Sequence, residues 1–600
     1  MKKKYVLSSA MCVALALGGS FAIPSFAQST TVIPESATPG ISNFTDLGEA
    51  SPDATLNVNF YMQLQNKNQL DQVLASHKKL TAAQFHSQFS PKGNDYHAVV
   101  NQLQNAGLIV NGTTDNNLVI DASGTVAQIE SVLGTDIHQF QDSSGNTFLA
   151  NTTDYHVTGP LANHLAGTSG VNQLATAKPM IKSTEGTDLT IGQGKPSNFF
   201  DGNNSAKIQQ AYNFSPVYKS GLDGAGQTIA IVDAYGSPTI QSDLQTYNQK
   251  VEQGAFGADE PLNLEVMSPP PGQAKQPVNS SVAADWAGET SMDVELAHAV
   301  APGAKILLVV TKDDGNSLFI AVNKLIDKEL ANQISLSWGM PEEYISTSQK
   351  HAVDQMFAQG AAEGINVFVS SGDDGDFSKQ LGQTDVSFPA SDPNVIAVGG
   401  TSLFTNSDNS YQNEFEWGAT NRWAGGILQL PKNAFWMGTG GGVSNVFAKP
   451  SWQTGVQGLD STISHRQLPD VAFNSDPFTG FSIVQNGVVK NGWGGTSDAA
   501  PQWAAICALA NQGHMQKTGS PLPFINPLLY SMNTSTFHDV QHDNLSYFFW
   551  APLFPGGNAK PWNVLMGADS SLQAGPGWDD ATGLGTPDVS SVVNYLANAN

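Results

Sequence analysis

Three short segments carry side chains whose chemistry is complementary. Gly494-Gly495-Thr496-Ser497-Asp498-Ala499-Ala500-Pro501 sets a serine after a glycine pair, and the apolar, Ala-rich stretch Gln502–Asn511 that follows reads as a buried helix. Glycines let the backbone bend tightly. A serine at the start of a buried helix is held rigidly beside free backbone N–H groups. That suits a nucleophile, although taken alone such a motif far more often marks a helix N-cap. A serine hydroxyl needs a base, usually a His oriented by an Asp, and the chain has no His-Gly-Thr-His segment. It offers Gly288-Glu289-Thr290-Ser291-Met292-Asp293-Val294-Glu295-Leu296-Ala297-His298 instead. In a helix Glu289 and Asp293 fall at i and i+4 on one face, where close carboxylates share a proton and one pKa rises. An ordinary His, with pKa ~6.5, is protonated in acid, whereas a carboxylate remains a base near pH ~4. A lone acidic pair at this spacing usually marks a solvated face; the apolar residues around this one speak against that. The third segment, Val367-Phe368-Val369-Ser370-Ser371-Gly372-Asp373-Asp374-Gly375, is an apolar strand running into a Gly/Asp loop, where α/β folds place active sites. A protonated Asp373 can donate to an oxyanion that an ionised one would repel. By itself the segment is an Asp-Gly turn.

Positioning these segments takes a large scaffold. Thr228–Val232, Lys305–Val310, Ile334–Ser337, Val367–Val369 and Val395–Val398 read as buried strands, and Ser317–Glu329 and Gln349–Glu363 as helices between them. Alternating β and α predicts a mostly parallel sheet covered by helices, within a domain spanning 206–600. Ahead of it, Leu56–Phe60 alternates like a strand, Asn68–Lys79 and His97–Ala106 look helical, Leu118–Ile120 is a strand, and Thr125–Leu133 is a helix capped by Gly134. These predict a small α+β unit over 53–174. Residues 175–205 have the polar composition of a linker, where proteases cut. Residues 28–52, rich in Ser, Thr, Pro and Gly, are expected to be flexible. Residues 1–27 read as a secretory signal: Lys2, Lys3 and Lys4, an apolar run through Met11–Leu17, and Ser25-Phe26-Ala27 at the cleavage site. The apolar run is too short for a membrane anchor, so the expected product is secreted with no membrane span. No fixed-period repeat is present.

Charged residues make up 13% of the 600, against the usual ~25%. Fifty-two acidic residues face 27 Lys plus Arg, which argues against a nucleic-acid partner. Depletion of Lys and Arg also limits positive self-repulsion once carboxylates protonate, so the composition fits life in acid. Of the two cysteines, Cys12 lies in the removable segment, leaving Cys507 without a disulfide partner.

Further segments complete a pattern: Ala301-Pro302-Gly303, Ser337-Trp338-Gly339, Gly440-Gly441-Gly442-Val443-Ser444, Pro450-Ser451-Trp452-Gln453 and Pro469-Asp470-Val471. Over about residues 205–598, in order and spacing, the chain resembles the sedolisin (serine-carboxyl) peptidase family, and more closely its kumamolisin-like branch. The resemblance implies a subtilisin-like α/β fold, a parallel sheet with helices on both faces. It implies Ser497 as nucleophile, Glu289 as general base and acid, Asp293 orienting Glu289, and Asp373 as oxyanion donor. The implied activity is that of an acid-active endopeptidase working on proteins and peptides through an acyl-enzyme on Ser497. Leu80-Thr81-Ala82-Ala83-Gln84-Phe85 and Gly124-Thr125-Val126-Ala127-Gln128-Ile129-Glu130 resemble the family's activation prodomain, a ferredoxin-like unit that would assist folding, inhibit in cis and be released by autocleavage in the 175–205 linker. His538-Asp539-Val540 and Ala574-Gly575-Pro576-Gly577-Trp578-Asp579 resemble its calcium site. One structural Ca2+ would take carboxylates from Asp539 and Asp579 and carbonyls from Val540, Gly575 and Gly577. A monomer is expected.

Three alternatives have weaker support. A two-carboxylate glycosidase leaves Ser497 unexplained. A binding protein on a peptidase scaffold would typically lack one of the four site residues, and all four are present. A His-dependent subtilisin would need His298, nine residues past Glu289. Two departures from the family stand out. Asp233 occupies the position after the first core strand where relatives often have Glu, one methylene longer, which puts its reach towards Trp338 in question. The aromatic-rich stretches 408–437 and 541–570, with Trp417, Trp423, Trp436, Phe548, Phe549, Trp550 and Trp562, match no family segment, and packing over the core is the simpler expectation for them.

Overall fold

The computed structural model of the chain describes residues 30–76, 78–183, 205–252, 255, 261–268, 280–423, 434–552, 559–567 and 569–599. The expected signal, 1–27, and most of the expected linker lie outside the described residues.

The leading unit is an antiparallel sheet in the order Ile109–Thr113, Val119–Thr125, Thr55–Met62, Leu165–Ser169. Helices Lys67–Ala75, Ala82–Gln88 and Gly93–Asn105 precede its second strand, and helix Val126–Leu133 follows its third. This is the ferredoxin-like order expected from the sequence. Local chemistry sets the boundaries of the last helix. Thr125 and Gln128 form a reciprocal capping box, and Gly134 closes the helix at φ 60°. Residues 28–52, expected to be flexible, are instead built into this unit over their described part. Thr31–Ile33 pairs with Tyr155–Val157, and Thr45–Glu49 with Ile137–Gln141. The Asp154 carboxylate accepts from the amides of Ser36 and Ala37, both at 2.9 Å, fixing the turn between those strands.

The large domain is a sheet in the order Leu264–Met267, Lys305–Thr311, Thr228–Ala234, Gln333–Leu336, Asn366–Ser370, Ile396–Thr405, all paired in parallel. Successive strand residues face opposite sides. Ile229 and Ile231 join one core with helices Ser280–Val300, Thr496–Thr518 and Val589–Ala597. Ala230 and Val232 join the other with helices Asn316–Asp327 and Thr347–Glu363. The leading unit docks on this second helical layer: Tyr61, Leu118 and Val119 enter its core, and Leu70, Phe85 and Phe89 pack on Ala358 and Ala362. A buried polar cluster sets the register, Asn116 Nδ2 donating to Asn323 Oδ1 at 3.0 Å and Gln359 Oε1 at 2.9 Å.

The two unaligned stretches meet in one antiparallel sheet, in the order Ala434–Gly438, Gly418–Trp423, Ala559–Met566, Leu545–Pro552. Trp417 is buried there with Phe404, Phe415, Phe478 and Met566, as the packing expectation held. The side chains of Trp423, Trp436, Phe548, Phe549, Trp550 and Trp562 lie outside the described residues.

Candidate active site

The helix Ser280–Val300 is exposed at Ser281, Ala284 and Asp285 in its first turns and then enters the core. Every residue from Gly288 to Val300 is buried, so Glu289 and Asp293 are not on a solvated face. The helix lies between the sheet and the hairpin Phe481–Gln485/Val488–Gly494, whose Val484 amide donates to Glu295 Oε2 at 2.8 Å. That hairpin ends in the glycine pair that starts the helix Thr496–Thr518. Gly495 has φ 120°, a conformation that only glycine adopts readily, and a Cβ there would strike Met180 O.

Ser497 is fully buried in the first turn of this helix. Its hydroxyl donates to Ser337 O at 3.2 Å. Pro501 lacks the N–H that would bond the Ser497 carbonyl four residues back; Ser337 Oγ takes that place at 3.2 Å. The nucleophile helix and the strand Gln333–Leu336 are thus clamped together at the reacting group.

Neither carboxyl oxygen of Glu289, nor of Asp293 or Asp233, has a formed hydrogen bond, and all three residues are fully buried. Burial raises the Glu289 carboxyl well above its ordinary range and neighbouring Asp293 adds to the shift, while the adjacent Ser497 hydroxyl opposes it. Burial and Asp233 raise Asp293, with Ser337 and Glu289 as hydrogen-bonding neighbours that oppose the shift. Asp233 is raised to about 7 by burial, offset by Thr290. The order of contact is therefore Ser497, Glu289, Asp293, Asp233: a row of carboxyls sharing fewer protons than oxygens. The Asp233 side chain does not reach the Trp338 indole, whose Nε1 donates to Val232 O at 2.8 Å. Asp233 joins the row through Asp293 instead.

Asp373 lies in the loop three residues past the strand Asn366–Ser370. Its Oδ1 accepts from the Thr496 amide at 2.8 Å and the Thr496 hydroxyl at 2.9 Å, while Oδ2 has no partner. Burial raises its carboxyl to about 7, against the opposing charge of Lys182. The Gly-rich segment 438–442 braces this loop: Gly438 N donates to Asp373 O at 3.0 Å and Gly440 N to Gly372 O at 2.7 Å. A Cβ on Gly440 would strike Ser371 O. Pro469-Asp470-Val471 is structural, since Asp470 takes both terminal nitrogens of buried Arg466, at 2.7 and 2.6 Å.

The structure thus brings Glu289, Asp293, Asp373 and Ser497 together. His298 is buried at the far end of the helix, its pKa depressed to about 4 by burial, and no hydrogen bond of Ser497 reaches it. Two participants were not foreseen. Ser337 links nucleophile and strand, and lay in a segment read only as sheet. Asp498 is fully buried with Oδ2 unpartnered and its carboxyl raised well above the ordinary range by burial and Asp373; its place in the buried helix was the available signal.

At the calcium-like segments, Asp539 Oδ1 accepts from Gly577 N at 2.9 Å and Asp579 Oδ2 from Gly575 N at 3.1 Å. The two carboxylates therefore bracket one turn, and Asp579 is buried and raised to about 7. Asp539 and Asp579 bring the hard carboxylate oxygens that calcium takes, while both Asp579 oxygens also accept from the protein, Oδ1 from Thr582 N at 2.8 Å and Oδ2 from Thr582 Oγ1 at 3.0 Å. Among the described residues no group of three or more His, Cys, Asp or Glu gathers as a metal cluster, so a site here depends on main-chain carbonyls. No described helix is long and apolar enough to cross a membrane.

A subtilisin-like sheet with a buried serine, a buried carboxyl row and a docked N-terminal unit defines a serine-carboxyl peptidase made as a zymogen. Comparison with known proteins identifies the family. The Pro-kumamolisin activation domain model matches residues 42–174 and the subtilase family model residues 279–522. Kumamolisin of Bacillus sp. (strain MN-32) is 30% identical over 472 residues, 78% of this chain and 76% of that protein. Sedolisin of Pseudomonas sp. (strain 101) is 29% identical over 536 residues, 86% of this chain and 82% of its own length. The solved Pseudomonas sedolisin complexed with two molecules of pseudo-iodotyrostatin has a TM-score of 0.50 at 28% identity, covering 67% of this chain and 99% of that one. The chain belongs to the sedolisin family, with a kumamolisin-type activation prodomain that acts as an intramolecular inhibitor of a protein-cleaving hydrolase.

Proposed function

We propose that the chain is a secreted endopeptidase active in acid, with Ser497 as nucleophile and Glu289 as its base. The observation that carries this reading is the buried Glu289 carboxyl near the Ser497 hydroxyl, with no hydrogen bond of its own formed and backed by Asp293 and Asp233. Ser497 Oγ attacks a peptide carbonyl and its proton passes to Glu289. Asp373, protonated in acid, and the Ser497 amide donate to the oxyanion. Glu289 returns the proton to the leaving amine as the C–N bond breaks, giving an acyl-enzyme. Water then attacks the ester, its proton passing through Glu289 back to Ser497 Oγ. Asp293 orients Glu289 and shares its proton. Secretion rests on the Lys2–Lys4, Met11–Leu17 and Ser25-Phe26-Ala27 pattern.

A pH profile of protein cleavage tests this reading. Activity should be confined to acid, and Glu289→Gln should lower kcat about 10³-fold or more. A maximum near pH ~8 in the wild type would instead require a His base.

The same reading includes one calcium ion held by Asp539 and Asp579 with the carbonyls of Val540, Gly575 and Gly577. The ion would neutralise a buried carboxylate and tie residues 539–540 to the 575–579 turn. Chelation near pH ~6 should lower Tm by roughly 5 °C or more. An unchanged melting curve removes the ion from the account.

A further inference from the structure

The linker between prodomain and peptidase crosses the candidate site as an extended strand held on both sides. Lys178 and Pro179 pair antiparallel with Gly339 and Trp338, and Lys182 and Ser183 with Gly494 and Trp493. Met180 and Ile181 fall between the two pairings, over Ser497. Main-chain pairing of this kind holds a peptide whatever its side chains, so the registration of one bond is informative.

Met180 N donates to Ser337 O at 3.1 Å, the same oxygen to which Ser497 Oγ donates at 3.2 Å. The nucleophile and the Met180 amide thus converge on one acceptor. Met180 O accepts from Ser497 N at 3.2 Å, so it already occupies the position where an oxyanion would be stabilised. On its other side stands Asp373 Oδ2, unpartnered and 2.7 Å from the point where a Cβ on Gly495 would lie, the same point that crowds Met180 O. Downstream, Ile181 Cδ1 is 3.5 Å from the corresponding point on Gly288. The Ile181 side of the bond therefore abuts the turn carrying Glu289, the group that must protonate the departing amine.

The Met180 side chain is only 7% exposed and packs among Ser370, Gly339, Ser387 and Phe388. Its Sδ is 2.9 Å from Ser370 Oγ. Its Cε would lie 2.5 Å from a Cβ on Gly339, with Ser387 Oγ and Phe388 O crowding the same point. Glycine at 339 thus creates the depth that a straight side chain fills. Ser387 Oγ is buried there without a partner, and a short carboxyl at this position would forfeit the contacts that the thioether chain makes.

We propose that the Met180–Ile181 peptide bond is the bond cut first when the zymogen matures, and that the pocket around Met180 selects a long apolar residue not branched at Cβ on the acyl side of the bond in protein substrates. The inference rests on the serine-carboxyl reading above. Ser497 Oγ adds to the Met180 carbonyl carbon and its proton goes to Glu289. The Met180 C–N bond breaks, and Ile181 leaves as an amine carrying that proton. Water hydrolyses the Met180 ester, returning the hydroxyl proton to Ser497.

Acidifying the full-length proenzyme and following intact mass with N-terminal sequencing of the first product tests this. The first new N-terminus should be Ile181. Met180→Leu should mature at nearly the wild-type rate. Met180→Asp, which puts a short polar carboxyl where the long thioether chain packs, and Met180→Pro, which removes the N–H that Ser337 O accepts, should each slow this cut about 100-fold. As a measurement independent of how the variants fold, wild-type mature enzyme should cleave peptides with Met or Leu before the bond at least about 10-fold faster in kcat/KM than those with Asp or Val. A first cut elsewhere, with Met180→Asp maturing normally, would overturn the inference while leaving acid peptidase activity intact. A wild type that neither matures nor cleaves protein at any pH would sink the serine-carboxyl reading as well.

Discussion

Replacing Ser497 with Ala is expected to stop maturation and peptide cleavage together, with kcat falling by about 10⁵–10⁶-fold. The loss should be that complete because no second nucleophile is available: the Thr496 hydroxyl is committed to Asp373 Oδ1 at 2.9 Å, and Cys507 is buried nearly three turns further into the helix with its thiol pushed up to about 12. It should also be specific. The Ser497 hydroxyl makes one hydrogen bond, to Ser337 O, so its removal costs about 1 kcal/mol and the variant should melt within a few degrees of the wild type. It should accumulate as the intact chain, with the linker across the cleft. If purified Ser497→Ala protein, free of wild type, matures in acid at the wild-type rate, another residue is the nucleophile. Loss of stability comparable to the loss of activity would mean that the serine is structural.

Most of the site was legible in the sequence because its members lie in segments with strong local signatures. The glycine pair, the buried helix and the apolar strands state where the backbone turns and what it buries, and the i,i+4 spacing states which carboxyls meet. The three-dimensional partners were less visible. Nothing local in 28–52 foretells that Asp154, 118 residues beyond Ser36, will cap its turn; polar composition there reads as loop because the partner strands are distant. The reach of Asp233 depended on the direction in which its strand presents it. The parallel register Asp233↔Val310 and the approach of the Ser280–Val300 helix turn it to Thr290 and Asp293 and not to Trp338. Ser337 became part of the site only through Pro501, whose missing N–H leaves the Ser497 carbonyl open to it. The linker composition at 175–183 suggested a site of cleavage but not that the chain is held in register there, since strand pairing depends on Trp338, Gly339, Trp493 and Gly494, all remote in sequence.

The same buried carboxyls that make the site make the fold sensitive to alkali. Folded Asp373 and Asp476 titrate near about 7, both raised mainly by burial, and Glu289, Asp293 and Asp498 are raised well above their ordinary range. In the unfolded chain such groups lose their protons near pH ~4. Between those values the native state binds more protons than the unfolded state, so stability falls as pH rises. It is fully present below about pH 4 and is lost progressively up to pH 7. Each carboxyl lifted by about three units withdraws roughly 4 kcal/mol when forced to ionise, and two of them approach the whole stability of a typical domain. Buried His298, depressed to about 4, works in the opposite direction, as do Asp46, Asp142 and Asp408, which hydrogen bonds hold below their ordinary value. These are outnumbered above pH ~4 and set the acid limb below it. The Ser497→Ala protein, which cannot digest itself, should therefore show its highest Tm near pH ~4, fall steadily towards pH 7, and unfold at moderate temperature beyond it. Asp476→Asn keeps a hydrogen-bonding amide in place of a buried acid, so it should flatten the fall above pH ~5 without affecting the acid limb. A Tm that is constant or rising from pH 4 to 7 would mean that these carboxyls are ionised in the folded protein, and the proton shared between Glu289 and Asp293 would go with them.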